Sequence, residues 1–237
     1  MITLIIISLI ATALAFTLSA SAGLGGSLIL VPAMAMILGS KQGIAISALL
    51  LGCNNITKII AYRHTVPINA VAGVMLLTIL GAATGAKLMI AAPEHWVDIV
   101  IITSFVFTFL IEQKKWDNVK RGLSLLFAFC AGATSGVSGT SGPLKGIALR
   151  SLNLNRYYFV GAASIVSLAG DATKVAVFIN EPLFFEETSW MIVLWALLIM
   201  PGAVFTGRFI NAEIGERAYT ALFWAVMVGY TIRLLIL

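Results

Sequence analysis

Asn54, Thr57 and Lys58 fall on one helical face of an apolar segment through i, i+3, i+4 spacing, and Asp171 with Lys174 repeats the pattern on the equivalent later segment. Charge inside hydrocarbon is expensive, so ionisable groups in such segments are first read as functional. The ammonium groups of Lys58 and Lys174, together with Lys145, are candidates to neutralise a bound anion. For Lys58 and Lys174 the competing reading is snorkelling to an interface from near a helix end; for Asp171 and Lys174 it is a mutual ion pair. Asp171 is also a protonatable carboxylate beside this set, a candidate to couple movement of an anion to movement of protons.

Two glycine- and hydroxyl-rich stretches add a second kind of anion chemistry. One is Ser19-Ala-Ser-Ala-Gly-Leu-Gly-Gly-Ser27 and the other Ser135-Gly-Val-Ser-Gly-Thr-Ser-Gly-Pro143. Glycine lets backbone approach a ligand closely, and hydroxyls satisfy groups that an interrupted helix leaves unpaired. Pro143 suits a first helical position, and Ser141 suits the cap before it. A helix that starts inside the membrane offers free N–H groups and the positive end of its dipole to an anion. The competing reading is close helix packing through small residues. The candidate binding set is therefore Ser21, Gly23, Gly25, Gly26 and Ser27 from the first stretch and Ser138, Gly139, Thr140, Ser141 and Gly142 from the second. Asn54, Thr57, Lys58, Lys145, Thr173 and Lys174 join them, and Asp171 is the coupling candidate.

Other chemistries lack their residues. Lys145 follows Leu144, so the phosphate-binding pattern GxxxxGK[ST] is not met. Cys53 and Cys130 have no CxxC partner or neighbouring His/Cys cluster, which leaves neither a zinc site nor a disulfide framework. His64 and His95 read as loop histidines. No nucleophile stands with a base, so catalysis, a metal and a cofactor are not expected, and a net charge of +5 carried mostly at segment ends does not indicate nucleic acid.

The elements that must position these residues follow from composition. The chain has 237 residues, 60% hydrophobic and 11% charged, against roughly 45–50% apolar residues in soluble domains. Apolar runs at 43–62, 68–92, 157–179, 190–210 and 218–237 each reach the ~20 residues that span a bilayer as a helix. Short alternating segments of a barrel are absent. Residues 2–20 followed by Ser-Ala-Gly resemble a signal peptide in outline but lack its positively charged start.

Aligned with itself at an offset of 116, the chain matches Ser19, Gly23, Gly26, Leu28, Leu38, Thr57 and Lys58 to Ser135, Gly139, Gly142, Leu144, Leu154, Thr173 and Lys174. Asn55 then aligns with Asp171. With a small shift, Gly81-Ala-Ala-Thr-Gly-Ala-Lys87 resembles Gly202-Ala-Val-Phe-Thr-Gly-Arg208. An internal duplication is expected: a first repeat over 1–111, a cytoplasmic linker at 112–121 and a second repeat over 122–237. Each repeat reads as a Gly-broken helical hairpin followed by three transmembrane helices. The segments 28–38, 122–131 and 144–154 are too short to span and read as half-helices.

Five segments per repeat force opposite orientations, giving an all-α polytopic membrane protein of two inverted-topology repeats. Alternating sides gathers Arg63, Lys114, Lys115, Lys120, Arg121, Arg150, Arg156, Arg208 and Arg217 on one face and leaves Lys41, Lys87 and Arg233 on the other. The positive-inside rule makes the first face cytoplasmic and puts both termini outside. Trp96, Trp116 and Trp190 fall near the expected interfaces.

Ser21-Ala-Gly-Leu-Gly-Gly-Ser-Leu-Ile-Leu-Val-Pro32, its echo Ser135-Gly-Val-Ser-Gly-Thr-Ser-Gly-Pro143, and Gly81-Ala-Ala-Thr-Gly85, in that order, resemble the sulfite exporter TauE/SafE family over nearly the whole chain. The resemblance implies a multi-pass bacterial inner-membrane transporter that exports sulfite or an organosulfonate such as sulfoacetate. Ser27 stands where a third glycine is common, and Ser141 replaces glycine in the second motif; both departures bear on the substrate. An anion channel, or an uptake permease for another small anion, would use the same residues. Small anion and membrane lipid are the expected partners.

Overall fold

The computed structural model describes residues 2–22, 26–112, 120–140, 142–181, 187–209, 221 and 232. Among them the chain forms nine α-helices and no strand: α1 (Ile2–Ala22), α2 (Gly26–Leu38), α3 (Ser40–Ala61), α4 (Ile68–Ala91), α5 (Glu94–Glu112), α6 (Arg121–Ser138), α7 (Gly142–Arg150), α8 (Arg156–Phe178) and α9 (Glu187–Phe209). A short 3₁₀ turn, Arg63–Thr65, joins α3 to α4. Four helices carry runs long and apolar enough to cross a membrane: Ser40–Ala61, Ile68–Ala91, Tyr158–Phe178 and Trp190–Gly207. The expected segments at 43–62, 68–92, 157–179 and 190–210 match them within a few residues. The segment at 218–237 lies outside the described residues, as do linker residues 113–119.

Local chemistry sets the boundaries. Gly39 at φ 90° turns the chain between α2 and α3 in a single residue, a conformation that glycine adopts without steric cost. Asn155 caps α8 by accepting the N–H of Tyr158. Pro67 precedes the first residue of α4. Gly139 ends α6 in the left-handed conformation at φ 76°, its N–H donating to the Ser135 carbonyl.

The helix expected at 122–131 is longer than that: α6 continues to Ser138 for 18 residues, about 27 Å at 1.5 Å per residue, while its apolar run stays shorter than those of the four candidate spans. Gly132 and Gly136 do not break it because they are packing positions. A Cβ on Gly132 would lie 2.2 Å from the Thr78 carbonyl oxygen, and one on Gly136 would lie 2.5 Å from the Ala86 nitrogen. Gly81 and Gly85 of α4 meet α6 in the same way, 2.1 Å from the Phe129 oxygen and 2.2 Å from the Ala133 oxygen. Paired small-xxx-small stripes thus let two backbones touch where lipid supplies no hydrophobic drive between helices.

Packing pairs the elements crosswise. α4 lies on α6 and α1 on α9; α2 lies on α3, and α3 on α8; α8 lies also on α4, and α3 on α9. Small and β-branched residues fill the interior, whereas Ile60, Leu76, Leu88 and Leu198 point outward, Leu198 at 72% exposure. An apolar exterior around a polar-seeded interior is the inverse of a soluble protein and suits contact with lipid.

Candidate functional site

Eight of the sixteen buried polar residues among those described border one cavity of about 40 Å³, several times the roughly 10–15 Å³ that one water needs. α1 contributes Ser19, the start of α2 contributes Gly26 and Ser27, and α3 contributes Asn54, Asn55 and Lys58. From the second half come Ser135 of α6, Gly139 at its end, Lys145 in the first turn of α7, and Ser167, Gly170 and Asp171 of α8. Both helix breaks therefore border the same space. Contact is tight there: a Cβ on Gly26 would stand 2.9 Å from Ser19 Oγ, and one on Gly139 would stand 2.8 Å from both methyls of Val31.

Each ammonium group is held inside the bundle. Lys58 is buried and donates to Ser19 Oγ. Lys174, 0% exposed, donates to Ser135 Oγ at 2.9 Å and pairs with Asp171 Oδ1 at 2.8 Å. Lys145 donates to Ser167 Oγ. Snorkelling is thus overturned for Lys58 and Lys174: a serine on another helix ties each one inward. Asp171 accepts a further bond at its other oxygen from Asn55 Nδ2, 2.9 Å away. When all are ionised, three lysines against one aspartate leave two positive charges uncompensated around the cavity. Positive charge held in a low-dielectric interior attracts an anion far more strongly than in water.

These contacts recur at the offset of the self-alignment. Lys58 to Ser19 and Lys174 to Ser135 are each 39 residues apart and are separated from one another by 116 positions. Asn55 and Asp171, which align with each other, touch each other. A Cβ on Gly85 would meet the Ala133 oxygen at 2.2 Å, and one on Gly207 would meet the Thr17 oxygen at 2.1 Å; Ala133 aligns with Thr17.

Of the residues singled out in the sequence, Gly26, Ser27, Asn54, Lys58, Gly139, Lys145 and Asp171 line the cavity, and Lys174 reaches its wall through Ser135 and Asp171. Ser138 and Thr140 are buried beside the second break, where their hydroxyls lie 3.4 Å apart, but they are not in the lining. Gly142 begins α7. Thr57 and Thr173 donate to the carbonyls of Cys53 and Ala169 on their own helices, and Thr57 also meets Met200 Sδ of α9 at 3.6 Å. Ser21 stands in the last turn of α1; Gly23, Gly25 and Ser141 lie outside the described residues. Sequence reasoning missed Ser19, Asn55, Thr78, Ser135, Ser164, Ser167 and Gly170 as lining residues. The repeat had signalled two of them, since Ser19 and Ser135 align with each other and stand opposite aligned lysines.

Among the described residues no group of three or more His, Cys, Asp or Glu side chains comes together to hold a metal. A family model described as Sulfite exporter TauE/SafE matches residues 8–234. No curated protein and no solved structure matches the chain.

Proposed function

The chain belongs to the sulfite exporter TauE/SafE family, and from that premise we propose that it is a secondary transporter exporting a small sulfur-containing anion, sulfite or an organosulfonate such as sulfoacetate, across a bacterial inner membrane. The observation that carries this reading is a cavity bordered by Lys58 and Lys145 at the meeting of two helix breaks, with Asp171 as the acid facing it and Lys174 already paired to that acid. Gly26 and Ser27 at the start of α2, and Gly139 with the start of α7, present backbone to the anion, and Lys58 and Lys145 balance its charge. Lys174 sets the position of Asp171 and Ser135.

The architecture we propose is two repeats, residues 1–111 and 122–237, of opposite orientation and joined by a cytoplasmic linker at 112–121, with both termini outside. The contacts repeated at 116 residues support it. So does the self-contact of aligned positions 55 and 171, because residues related by a two-fold axis meet only on that axis. Asp171 sits at that point as the acid of the cavity, and in this reading it carries the coupling proton.

The test is flux in proteoliposomes, comparing sulfite, sulfoacetate, sulfate and acetate under imposed pH gradients. Accumulation of sulfite or sulfoacetate against its gradient, with dependence on the pH gradient lost in Asp171→Asn, is the expected result. Flux only down the gradient would make the protein an anion channel, and unchanged pH dependence in Asp171→Asn would remove the coupling role.

A further inference from the structure

Among the described residues the cavity is lined by a fully buried polar side chain left without a partner, that of Asn54. Asn54 is 0% exposed and lines the cavity, yet neither its amide nitrogen nor its amide oxygen has a hydrogen-bond partner among the described residues. Its neighbours differ: Asn55 donates to Asp171, Lys58 to Ser19, and Lys145 to Ser167. The residue 116 positions later is Gly170, which also lines the cavity and offers no side chain. A carboxamide carries donors on one end and an acceptor on the other, whichever way the two ends are assigned. Leaving both unmade in the interior is costly, so an occupant that completes them is favoured over one that does not.

A fully ionised oxyanion offers acceptors alone. It suits the lysines and the helix starts and can take the Asn54 N–H, but it sets oxygen lone pairs against the Asn54 oxygen. We propose that Asn54 is a specificity-determining residue and that the preferred cargo is an oxyanion bearing its own hydrogen-bond donor, a hydroxyl or N–H. Sulfite as its O-protonated monoanion fits this class, as does a hydroxyl-substituted sulfonate; doubly ionised sulfoacetate does not. This inference rests on the anion-transport reading above and narrows it.

The experiment compares 2-hydroxyethanesulfonate with propane-1-sulfonate in proteoliposomes of the full chain. The two have equal charge and heavy-atom number and differ by a hydroxyl in place of a methyl. Wild-type flux below saturation is expected to favour the hydroxylated anion by about tenfold or more. Asn54→Leu, nearly isosteric and apolar, is expected to bring the ratio to about one, and Asn54→Ser, which keeps a group able to donate and accept, to retain part of the preference. A second readout needs no variant: the hydroxylated anion should inhibit sulfite efflux at about one-tenth the concentration of the other. A wild-type ratio near one with both anions carried, or an Asn54→Leu protein that keeps the wild-type ratio, overturns the inference while leaving transport standing. Absence of flux for sulfite and both sulfonates in folded wild-type protein overturns the transport reading itself.

Discussion

Removing the carboxylate at position 171 should damage the protein far more than moving it to position 55. In Asp171→Asn the fully buried Lys174 keeps only its bond to Ser135 Oγ at 2.9 Å and loses the carboxylate at 2.8 Å. Stripping one partner from a buried ion pair costs about 3–5 kcal/mol. Adding Asn55→Asp restores an acid three residues before Lys58, the spacing that Asp171 keeps to Lys174. The amide introduced at 171 can then donate across the 2.9 Å contact in the reverse direction. Lys58 stays on Ser19, and Lys174 is left on Ser135 alone, as Lys58 is on Ser19 in the wild type. The network is exchanged between halves with no group lost, so the double variant is expected within about 1 kcal/mol of wild type. Unfolding in mixed micelles titrated with a denaturing detergent, followed by tryptophan fluorescence, measures both differences. If the double variant is no more stable than Asp171→Asn alone, within about 0.5 kcal/mol, the exchange argument is wrong.

Three further outcomes follow from the same geometry. Lys58→Met and Lys145→Met each remove a positive charge bordering the cavity, a Coulomb loss of about 1–3 kcal/mol at an effective dielectric of about 20; sulfite KM should rise about tenfold to a hundredfold in flux assays, with the folded yield largely kept. Gly85→Val and Gly207→Val drive a Cβ into carbonyl oxygens at 2.2 and 2.1 Å and should each destabilise by about 1–3 kcal/mol or more, whereas Gly202→Ala, with nothing within 4 Å, should stay within about 0.5 kcal/mol of wild type; the same unfolding titration compares them. Gly139→Ala forces a side chain into φ 76° and against Val31 at 2.8 Å, for about 1–2 kcal/mol of backbone strain plus the clash; Val31→Ala should relieve the clash and leave the strain, which the double variant's midpoint reads out.

Helix positions were legible because hydrocarbon leaves the backbone one choice: Ser40–Ala61, Ile68–Ala91 and Arg156–Phe178 begin or end within a few residues of the apolar runs that announce them. α6 misled because glycine has two uses that composition does not separate. Gly136 falls within the second glycine-rich stretch, and only the contact that it and Gly132 make with α4 reveals packing positions. In the site, charge was the readable signal, and Lys58, Lys145 and Asp171 reached the cavity wall. Hydroxyls were not readable, since a serine or threonine can satisfy itself on its own helix, as Thr57 and Thr173 do, or reach across, as Ser19 and Ser135 do. Nothing along a single strand of sequence distinguishes these two uses, whereas the 116-residue match does so for Ser19 and Ser135, by pairing them with aligned lysines.

Stability and selectivity draw on the same few contacts in this bundle. Apolar side chains gain little by leaving lipid for one another, so α4 holds α6, and α9 holds α1, largely through backbone meeting backbone at glycine. These pairs cross between the proposed repeats: each repeat's long helix buttresses the other's broken hairpin. At their centre, α3 meets α8 through Asn55 and Asp171. On the proposed two-fold axis two identical residues could not both be ionised carboxylates, because like charges at about 3 Å would force one to hold a proton. An amide opposite an acid avoids that conflict and gives a nearly symmetric frame an asymmetric charge. Asp171 pairs with Lys174 and leaves Lys58 to its serine, on the side where Asn54 has no hydrogen-bond partner among the described residues. In the transport reading proposed above, this difference at a single pair of positions sets where in the cavity an anion is held.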